Sequence, residues 1–236
     1  MLFFYIRHGD PIYTPDSLTP LGERQAEAVA KRLALYGIDE VYASTSNRAI
    51  LTAKPTCELV KKEPVLLDFC NESHAWAELT VKREKTYWLF HDKEMAPLLS
   101  DPEVTSMGHD WVNHPKFTQF KKGMDRIYNE TYSFFKSLGY AQIGKTGKYE
   151  VINGNDKRVA LFAHQGFGIA FLSTVLGVPY PLYASHFDMC HSGMTVIEFR
   201  EQDGVVIPRT LQLSGDSHLY REGLRRQGYQ NHRGSR

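Results

Sequence analysis

The stretch MLFFYIRHG, residues 1–9, decides the fold. Its first six residues are apolar and include aromatic and β-branched side chains, which is typical of a buried strand. Arg7, His8 and Gly9 follow directly, so the strand runs into a turn. In open α/β sheets the ligand crevice lies at the carboxyl ends of the strands. A histidine beside a permanently charged arginine at that place is suited to attack an anionic ester, most obviously a phosphate.

The composition indicates a soluble globular chain. The 236 residues are 42% hydrophobic and 23% charged, and the formal net charge is +1. This balance argues against binding to nucleic acid or to membrane surfaces, because no excess of one sign exists to drive it. No apolar run approaches the roughly 18 residues of a membrane span, and the three cysteines lack the spacing of a metal site. We therefore expect a cytoplasmic protein with reduced thiols and no nucleic-acid or membrane partner.

Strand and helix signals alternate along the chain. Thr19 and Pro20 predict the start of a helix, and Gly37 predicts its end. Residues 10–17 are expected to form a polar loop, a second helix begins near Ser46, and Pro55 is expected to kink or divide it. Further strands are predicted over residues 40–44, 64–69, 149–152, 158–163, 194–199 and 210–213, the third and fourth as a hairpin, with another helix over 167–176. The alternation predicts a three-layer α/β/α sandwich around a mostly parallel sheet.

One domain is expected to span residues 1–236. Residues 73–148 hold all three tryptophans and several helical patterns, which predicts a helical insertion over the active-site end of the sheet. Trp76, Trp88, Phe90 and Trp111 within it favour a ligand with an apolar or ring-bearing portion. The polar tail, about 221–236, is expected to be mobile.

Side chains suited to phosphoryl transfer follow several predicted strand ends. Besides Arg7 and His8 these are Arg48, at the start of the second helix, His164, after strand 158–163, and Glu72, just past strand 64–69. Arginines capture phosphate oxygens in pairs of hydrogen bonds. One histidine must be neutral to attack phosphorus, while the other stabilises the transferred group as a cation. A carboxylic acid such as Glu72 supplies the proton that the leaving alkoxide needs.

Several motifs in the same order resemble the histidine phosphatase superfamily, the phosphoglycerate-mutase-like group. They are RHG at 7–9, LTPLGERQA at 18–26, SNRAILTA at 46–53, FAHQG at 162–166 and GDSHL at 215–219. The resemblance implies that His8 is the phosphorylated nucleophile and that Arg7, Arg48 and His164 clamp the phosphoryl group. It also implies a substrate contact at Gln165, a small-molecule phosphate ester as substrate, and no metal or other cofactor.

Two positions depart from the pattern of this superfamily. The proton donor usually precedes a GxWEG-like stretch, and here Ala75-Trp76-Ala77-Glu78 follows Glu72 without the glycines. Glu72 is therefore the first choice for the acid, and Glu78 is its rival. Many members also have an asparagine six residues after the nucleophile, where this chain has Thr14.

Three functions compete on these residues. A phosphomonoester hydrolase is favoured over a phosphoglycerate-type mutase, because the residues that follow the RHG of the mutases are absent here. A non-catalytic module that binds phosphorylated ligands is the third, although neither His8 nor the arginines are lost. Residues 139–146, GYAQIGKT, match the P-loop pattern, but a helical pattern precedes them and no helix follows, which argues against a nucleotide site. The pairs His109 with His114 and Asp188 with His191 lack a compact tetrahedral ligand set.

Overall fold

A computed structural model describes residues 1–224 of the chain. The strands of this part are β1 (Leu2–Arg7), β2 (Pro11–Tyr13), β3 (Asp16–Leu18), β4 (Glu40–Ser44), β5 (Val65–Leu67), β6 (Thr80–Lys82), β7 (Thr86–Trp88), β8 (Tyr140–Gln142), β9 (Tyr149–Val151), β10 (Arg158–Ala163), β11 (Met194–Glu198), β12 (Glu201–Gln202), β13 (Val205–Val206) and β14 (Arg209–Gly215). Its α-helices are α1 (Pro20–Tyr36), α2 (Asn47–Val60), α3 (Glu72–Glu78), α4 (Met95–Leu99), α5 (Pro102–Ser106), α6 (Lys121–Ser137), α7 (Gln165–Leu176), α8 (Tyr180–His186) and α9 (Ser217–Arg221). Short 3₁₀ helices cover Asp68–Cys70, Leu89–His91, Gly108–Asn113 and Thr118–Phe120.

The central sheet has six strands in the order β14-β11-β1-β10-β4-β5. β1, β10, β4 and β5 pair in parallel. β11 is antiparallel to both of its neighbours, so it alone runs against the other five. The expected mixed α/β fold with a mostly parallel sheet is therefore confirmed.

Helices cover both faces of this sheet because successive side chains of a strand point to opposite sides. In β1, Phe4 and Ile6 pack with Val29 of α1 and Ala53 of α2. Phe3 and Tyr5 of the same strand lie in the second core cluster, together with the apolar faces of α6 and α7. This two-sided burial explains why the opening stretch is apolar without interruption.

Helix α1 begins and ends at the residues that the sequence predicts. The Thr19 side chain accepts a hydrogen bond from the Gly22 amide, and Pro20 occupies the first turn. Gly37 ends the helix in the left-handed region, at φ 72°. Helix α2 continues through Pro55 and is not divided there, because Ala53 and Cys57, on either side of the proline, are packed in the core.

Two expectations about local pairing are wrong. Residues 10–17 are not a loop, since β2 and β3 form a hairpin with Thr14 and Pro15 at its turn. Residues 149–152 and 158–163 do not pair with each other. Both edges of β10 are already occupied by β1 and β4, so β9 joins the separate sheet β12-β13-β9-β8.

The segment 73–148 contains more than helices, because β6 and β7 form a hairpin within it. Gly139 ends α6 at φ 99° and leads into β8, so the P-loop-like residues follow a helix and start a strand. In residues 1–224 no helix combines the length and the apolar character that crossing a membrane requires. Residues 225–236, most of the tail that we expect to be mobile, lie outside the described residues.

Candidate active site

The two histidines of the motifs lie side by side at one edge of the central sheet. Arg7, the last residue of β1, is level with Ala163, the last residue of β10. His8 and His164 therefore leave adjacent parallel strands at the same height, and their ring centroids are 5.2 Å apart. Both side chains are buried. The register of one pair of parallel strands thus creates the centre of the site.

The turn that carries His8 has no room for another residue type at Gly9. A Cβ at Gly9 would lie 2.6 Å from the Gly22 carbonyl oxygen, closer than real contacts allow. The Gly9 amide donates to Thr52 Oγ1 of α2 over 3.0 Å. The turn is therefore fixed to both α1 and α2, the helices that carry the other two N-terminal motifs.

The hydrogen bond of His8 defines its tautomer. Nδ1 lies 2.7 Å from the Gly9 carbonyl oxygen, which can only accept, so Nδ1 carries the hydrogen and the lone pair of the neutral ring is on Nε2. Burial holds the pKa of His8 well below its usual range, and the charges of His164, Arg7 and Arg48 lower it further. His8 is therefore a neutral ring whose Nε2 is available for attack.

His164 is held by hydroxyl groups. Its Nε2 lies 2.8 Å from Ser44 Oγ, at the end of β4, and 3.3 Å from Ser46 Oγ, just before α2. The Tyr5 hydroxyl donates to the backbone carbonyl of His164 over 2.6 Å. Burial, followed by the charges of Arg48 and Arg7, holds the pKa of His164 well below its usual range. A bound anion would act in the opposite direction and favour the protonated ring.

Glu72 reaches this pair from the start of α3. Its Oε1 accepts a hydrogen bond from the Gly166 amide, at the start of α7, over 2.8 Å. Its Oε2 lies 3.4 Å from His164 Nδ1 and 3.5 Å from Arg48 NH2. Burial raises the pKa of Glu72, against the opposing influence of Arg48 and Arg7. A raised pKa suits a general acid.

Each arginine is held at its outer nitrogens. Arg7 donates to the Met189 carbonyl oxygen over 2.7 Å and contacts His191 Nε2 at 2.8 Å. Arg48 donates to Asp16 Oδ1 over 2.8 Å, and its guanidinium lies 5.4 Å from the centre of the Tyr13 ring. These contacts orient both guanidiniums beside the histidines.

Buried donors without a protein partner remain at the site. Within residues 1–224 the Nε atoms of Arg7 and Arg48 donate to no protein acceptor. His164 Nδ1 forms no hydrogen bond either, although Glu72 Oε2 lies 3.4 Å away. Buried polar groups are nearly always hydrogen-bonded, so such a cluster requires an explanation. Oxygen atoms of a phosphoryl group would satisfy all three, which makes the arrangement suitable for an oxyanion.

The same residues also form a set that can ligate a metal. His8, Glu72 and His164 each offer one ligand atom, and these atoms lie within 4.8 Å of one another. Two imidazoles and one carboxylate are a ligand set that zinc accepts. The adjacent guanidiniums of Arg7 and Arg48 make the site electrostatically less favourable for a cation and more favourable for an anion.

The structure separates Glu72 from its rival Glu78. Glu78 lies at the other end of α3, where its carboxylate forms an ion pair with Arg126 of α6 at 2.7 Å. Glu72 is the carboxylate beside the histidines. The remaining residue singled out in the sequence, Gln165, begins α7 and donates to Asp188 Oδ1 over 2.5 Å.

Sequence patterns did not predict the contacts by which three side chains hold the arginines. Tyr13 and Asp16 come from the β2–β3 hairpin, which was not predicted because Pro11 and Pro15 indicate a loop. His191 lies in the irregular segment before β11 and stacks on His8, with ring centroids 5.6 Å apart. A histidine outside any motif carries no signal of such a contact, and only the fold brings it to Arg7.

Comparison with known families supports the motif assignment. A model of the histidine phosphatase superfamily (branch 1) matches residues 4–102, a region that contains Arg7, His8, Arg48 and Glu72. The resemblance to this superfamily, expected from the motifs, is confirmed. No curated protein sequence matches the chain significantly.

Solved structures of similar fold include phosphatases. A phosphoserine phosphatase from Entamoeba histolytica in complex with 3-phosphoglyceric acid is 18% identical, with a TM-score of 0.57, covering 92% of this chain and 98% of that one. A mycobacterial glucosyl-3-phosphoglycerate phosphatase is 18% identical, with a TM-score of 0.58, covering 91% and 99%. The product of an open reading frame of Mycobacterium tuberculosis is 16% identical, with a TM-score of 0.59, covering 92% and 98%. At these identities the likeness establishes the fold.

Proposed function

We propose that this protein is a phosphomonoester hydrolase that works through a phosphohistidine on His8 and needs no metal. The observation that carries the proposal is the tautomer of His8. Its Nδ1 donates to the Gly9 carbonyl, which leaves Nε2 as a nucleophile beside two guanidiniums and a carboxyl group of raised pKa. The resemblance of residues 4–102 to histidine phosphatases supports the same chemistry.

The first step transfers the phosphoryl group to the enzyme. His8 Nε2 forms a bond to phosphorus, the ester P–O bond breaks, and the leaving oxygen takes the proton of Glu72. In the second step a water oxygen attacks phosphorus, its proton goes to the Glu72 carboxylate, and the N–P bond breaks. Inorganic phosphate leaves, and Glu72 is protonated again for the next cycle.

Arg7, Arg48 and His164 stabilise the phosphoryl group during both steps. The transferred group needs positioning and charge stabilisation more than covalent chemistry. The unpartnered Nε atoms of the two arginines suit the equatorial oxygens. Binding of the dianion favours protonation of His164, which then acts as a third cationic donor. Each well-placed donor contributes about 3 kcal/mol to transition-state stabilisation.

Turnover of a phosphate ester by wild-type protein and by His8→Ala, each in excess chelator, tests the proposal. We expect turnover that survives chelation and is lost in His8→Ala. His114→Ala is the matched control, since His114 is also buried but contacts Glu103, remote from the motifs. Acid-labile phosphate should appear on wild-type protein quenched during turnover.

Other outcomes identify the competing functions. Loss of turnover on chelation, restored by zinc, would assign His8, Glu72 and His164 to a metal site. Equal turnover in His8→Ala would exclude His8 as the nucleophile. Labelled His8 without release of inorganic phosphate would indicate a mutase, and phosphate binding without labelling would indicate a binding module.

A further inference from the structure

We propose, on the basis of the hydrolase function above, that the cavity beside Glu72 selects esters whose alcohol portion carries a flat ring and no second anionic group. The cavity measures about 790 Å³. Its lining comes from α3, the start of α2, the β2–β3 hairpin and the end of β7.

The position of Glu72 decides which part of the substrate enters this cavity. Glu72 gives its proton to the leaving oxygen, so the alcohol portion must lie on the side of Glu72. Both Glu72 and Arg48 line the cavity. An ester held at His8 therefore extends its alcohol portion from the phosphate clamp into this space.

Aromatic rings form the walls of the cavity. Trp76 and Trp88 meet at an angle of 85° with their centroids 4.9 Å apart, so they present two perpendicular surfaces. Tyr13 contributes a further ring. Trp76 is 41% exposed and Tyr13 is 66% exposed, which leaves apolar ring surface that a ligand ring would cover.

Trp88 is fixed in place by its neighbours. It stacks on Phe90 at an interplanar angle of 13°. Its six-membered ring also lies directly on Gly166, where a Cβ would be 2.3 Å from Cζ2. A wall held in this way is ordered before the ligand binds, which reduces the entropy cost of recognition. Trp111, which the sequence also associated with the ligand, instead stacks in the core on Tyr180 at 5.1 Å.

The charges of the cavity disfavour a second anionic group. Among the described lining residues Arg48 is the only cation, and Asp16 holds it at 2.8 Å. The other charged groups of the lining are the carboxyls of Asp16 and Glu72. Glu72 is protonated when the ester binds, so a carboxylate on the substrate would meet the negative charge of Asp16 without a cation of its own.

Three esters with similar leaving groups test this selectivity: ethyl phosphate, benzyl phosphate and 4-carboxybenzyl phosphate. We expect kcat/KM to be about tenfold higher for benzyl than for ethyl phosphate, and about tenfold lower for 4-carboxybenzyl than for benzyl phosphate. Trp76→Ala should abolish the advantage of benzyl over ethyl phosphate. Tyr87→Ala should preserve it, because Tyr87 is equally exposed, at 41%, but lies outside the lining.

Equal kcat/KM for ethyl and benzyl phosphate, a preference for the carboxylated ester, or the same loss with all three esters in Trp76→Ala would overturn the inference. Calorimetric binding of the same esters separates it from the hydrolase proposal. Tighter binding of benzyl phosphate without turnover would retain the ring site and reject the hydrolase. Turnover without ring preference would retain the hydrolase and reject the ring site.

Discussion

His191 Nε2 lies 2.8 Å from an outer nitrogen of Arg7, and this contact defines the tautomer of His191. Arginine can only donate, so Nε2 accepts and Nδ1 carries the hydrogen. Nδ1 lies 3.4 Å from Asp10 Oδ1. Burial, with the charge of Arg7, lowers the pKa of His191 to about 3. His191 is thus a neutral acceptor that positions Arg7 beside His8.

Replacement of His191 by phenylalanine should impair the phosphate clamp. The ring would remain, but one buried donor of Arg7 would lose its acceptor, which costs about 1–3 kcal/mol. We expect a loss of ten- to a hundredfold in kcat/KM and weaker inhibition by inorganic phosphate. His191→Gln, which offers an acceptor at similar reach, should restore most of both. Equal losses in the two variants, in proportion to lower thermal stability, would mean that His191 acts only in packing.

The roles of Glu72 and Glu78 can be distinguished by comparing substrates whose leaving groups differ in basicity. Without the acid, an ester of an ordinary alcohol must expel an alkoxide, whereas 4-nitrophenyl phosphate expels a far weaker base. Glu72→Gln should therefore reduce kcat/KM, which reports transfer of the phosphoryl group to His8, by about 10²- to 10⁴-fold for benzyl phosphate and much less for 4-nitrophenyl phosphate. Hydrolysis of the phosphohistidine, in which Glu72 is the base, should slow equally for both esters.

Glu78→Gln is the matched control for this experiment. Glu78 pairs with Arg126, so its replacement should leave the ratio of the two rates unchanged. A change in that ratio in Glu78→Gln, with none in Glu72→Gln, would exchange the roles of the two residues.

Helices and strands that are determined by residues close to one another in the sequence could be predicted from it. The cap at Thr19 and the left-handed Gly37 define α1 through contacts within a few residues. The apolar run of β1 likewise indicates burial on both faces. His8 and His164 could be placed because each directly follows a strand and belongs to a motif. Glu72 was expected just past a strand over 64–69, but β5 ends at Leu67 and a 3₁₀ helix precedes Glu72.

Pairing between distant residues could not be predicted in the same way. The expected hairpin of 149–152 with 158–163 failed because β10 lies between β1 and β4, which is a property of the whole sheet. His191 is 184 residues from Arg7 along the chain, and no periodicity or spacing connects them. The part of the site that holds the arginines therefore required the structure.

Buried neutral histidines should make the protein less stable in acid. The pKa of His218 is lowered by burial to about 4, and that of His191 to about 3, from 6.5 in the unfolded chain. Below about pH 6.5 the unfolded state therefore binds more protons, and the free energy of unfolding falls as the pH falls. Each of the two contributes a slope of about 1.4 kcal/mol per pH unit down to its folded pKa.

Urea unfolding at pH 7.5, 6.5, 5.5 and 4.5 measures this slope. His218→Gln removes one titrating group and should make the slope shallower by about 1.4 kcal/mol per pH unit. His74→Gln is the control, because the His74 side chain is only partly buried and pairs with Asp68 at the surface. A free energy of unfolding that stays constant between pH 7.5 and 5.5 would contradict the burial of these histidines as neutral rings.

Substitutions of Gly166 and Trp88 should have non-additive effects on the free energy of unfolding in a double-mutant cycle. A methyl group at Gly166 would lie 2.3 Å from Trp88 Cζ2, so Gly166→Ala must displace the indole or shift the start of α7. We expect a loss of about 1–3 kcal/mol in the free energy of unfolding. We also expect a lower preference for ring-bearing esters, because the displaced ring forms a wall of the cavity.

Trp88→Leu creates the space that the new methyl group needs. Gly166→Ala in that background should therefore cost less than in the wild type, with a coupling energy of about 1 kcal/mol or more between the two sites. The Gly166 amide, which donates to Glu72, is retained in every variant, so a fall in kcat for ethyl phosphate in Gly166→Ala reports movement of Glu72 itself. If the effects of Gly166→Ala and Trp88→Leu on the free energy of unfolding are additive, the indole of Trp88 is not in tight contact with the start of α7.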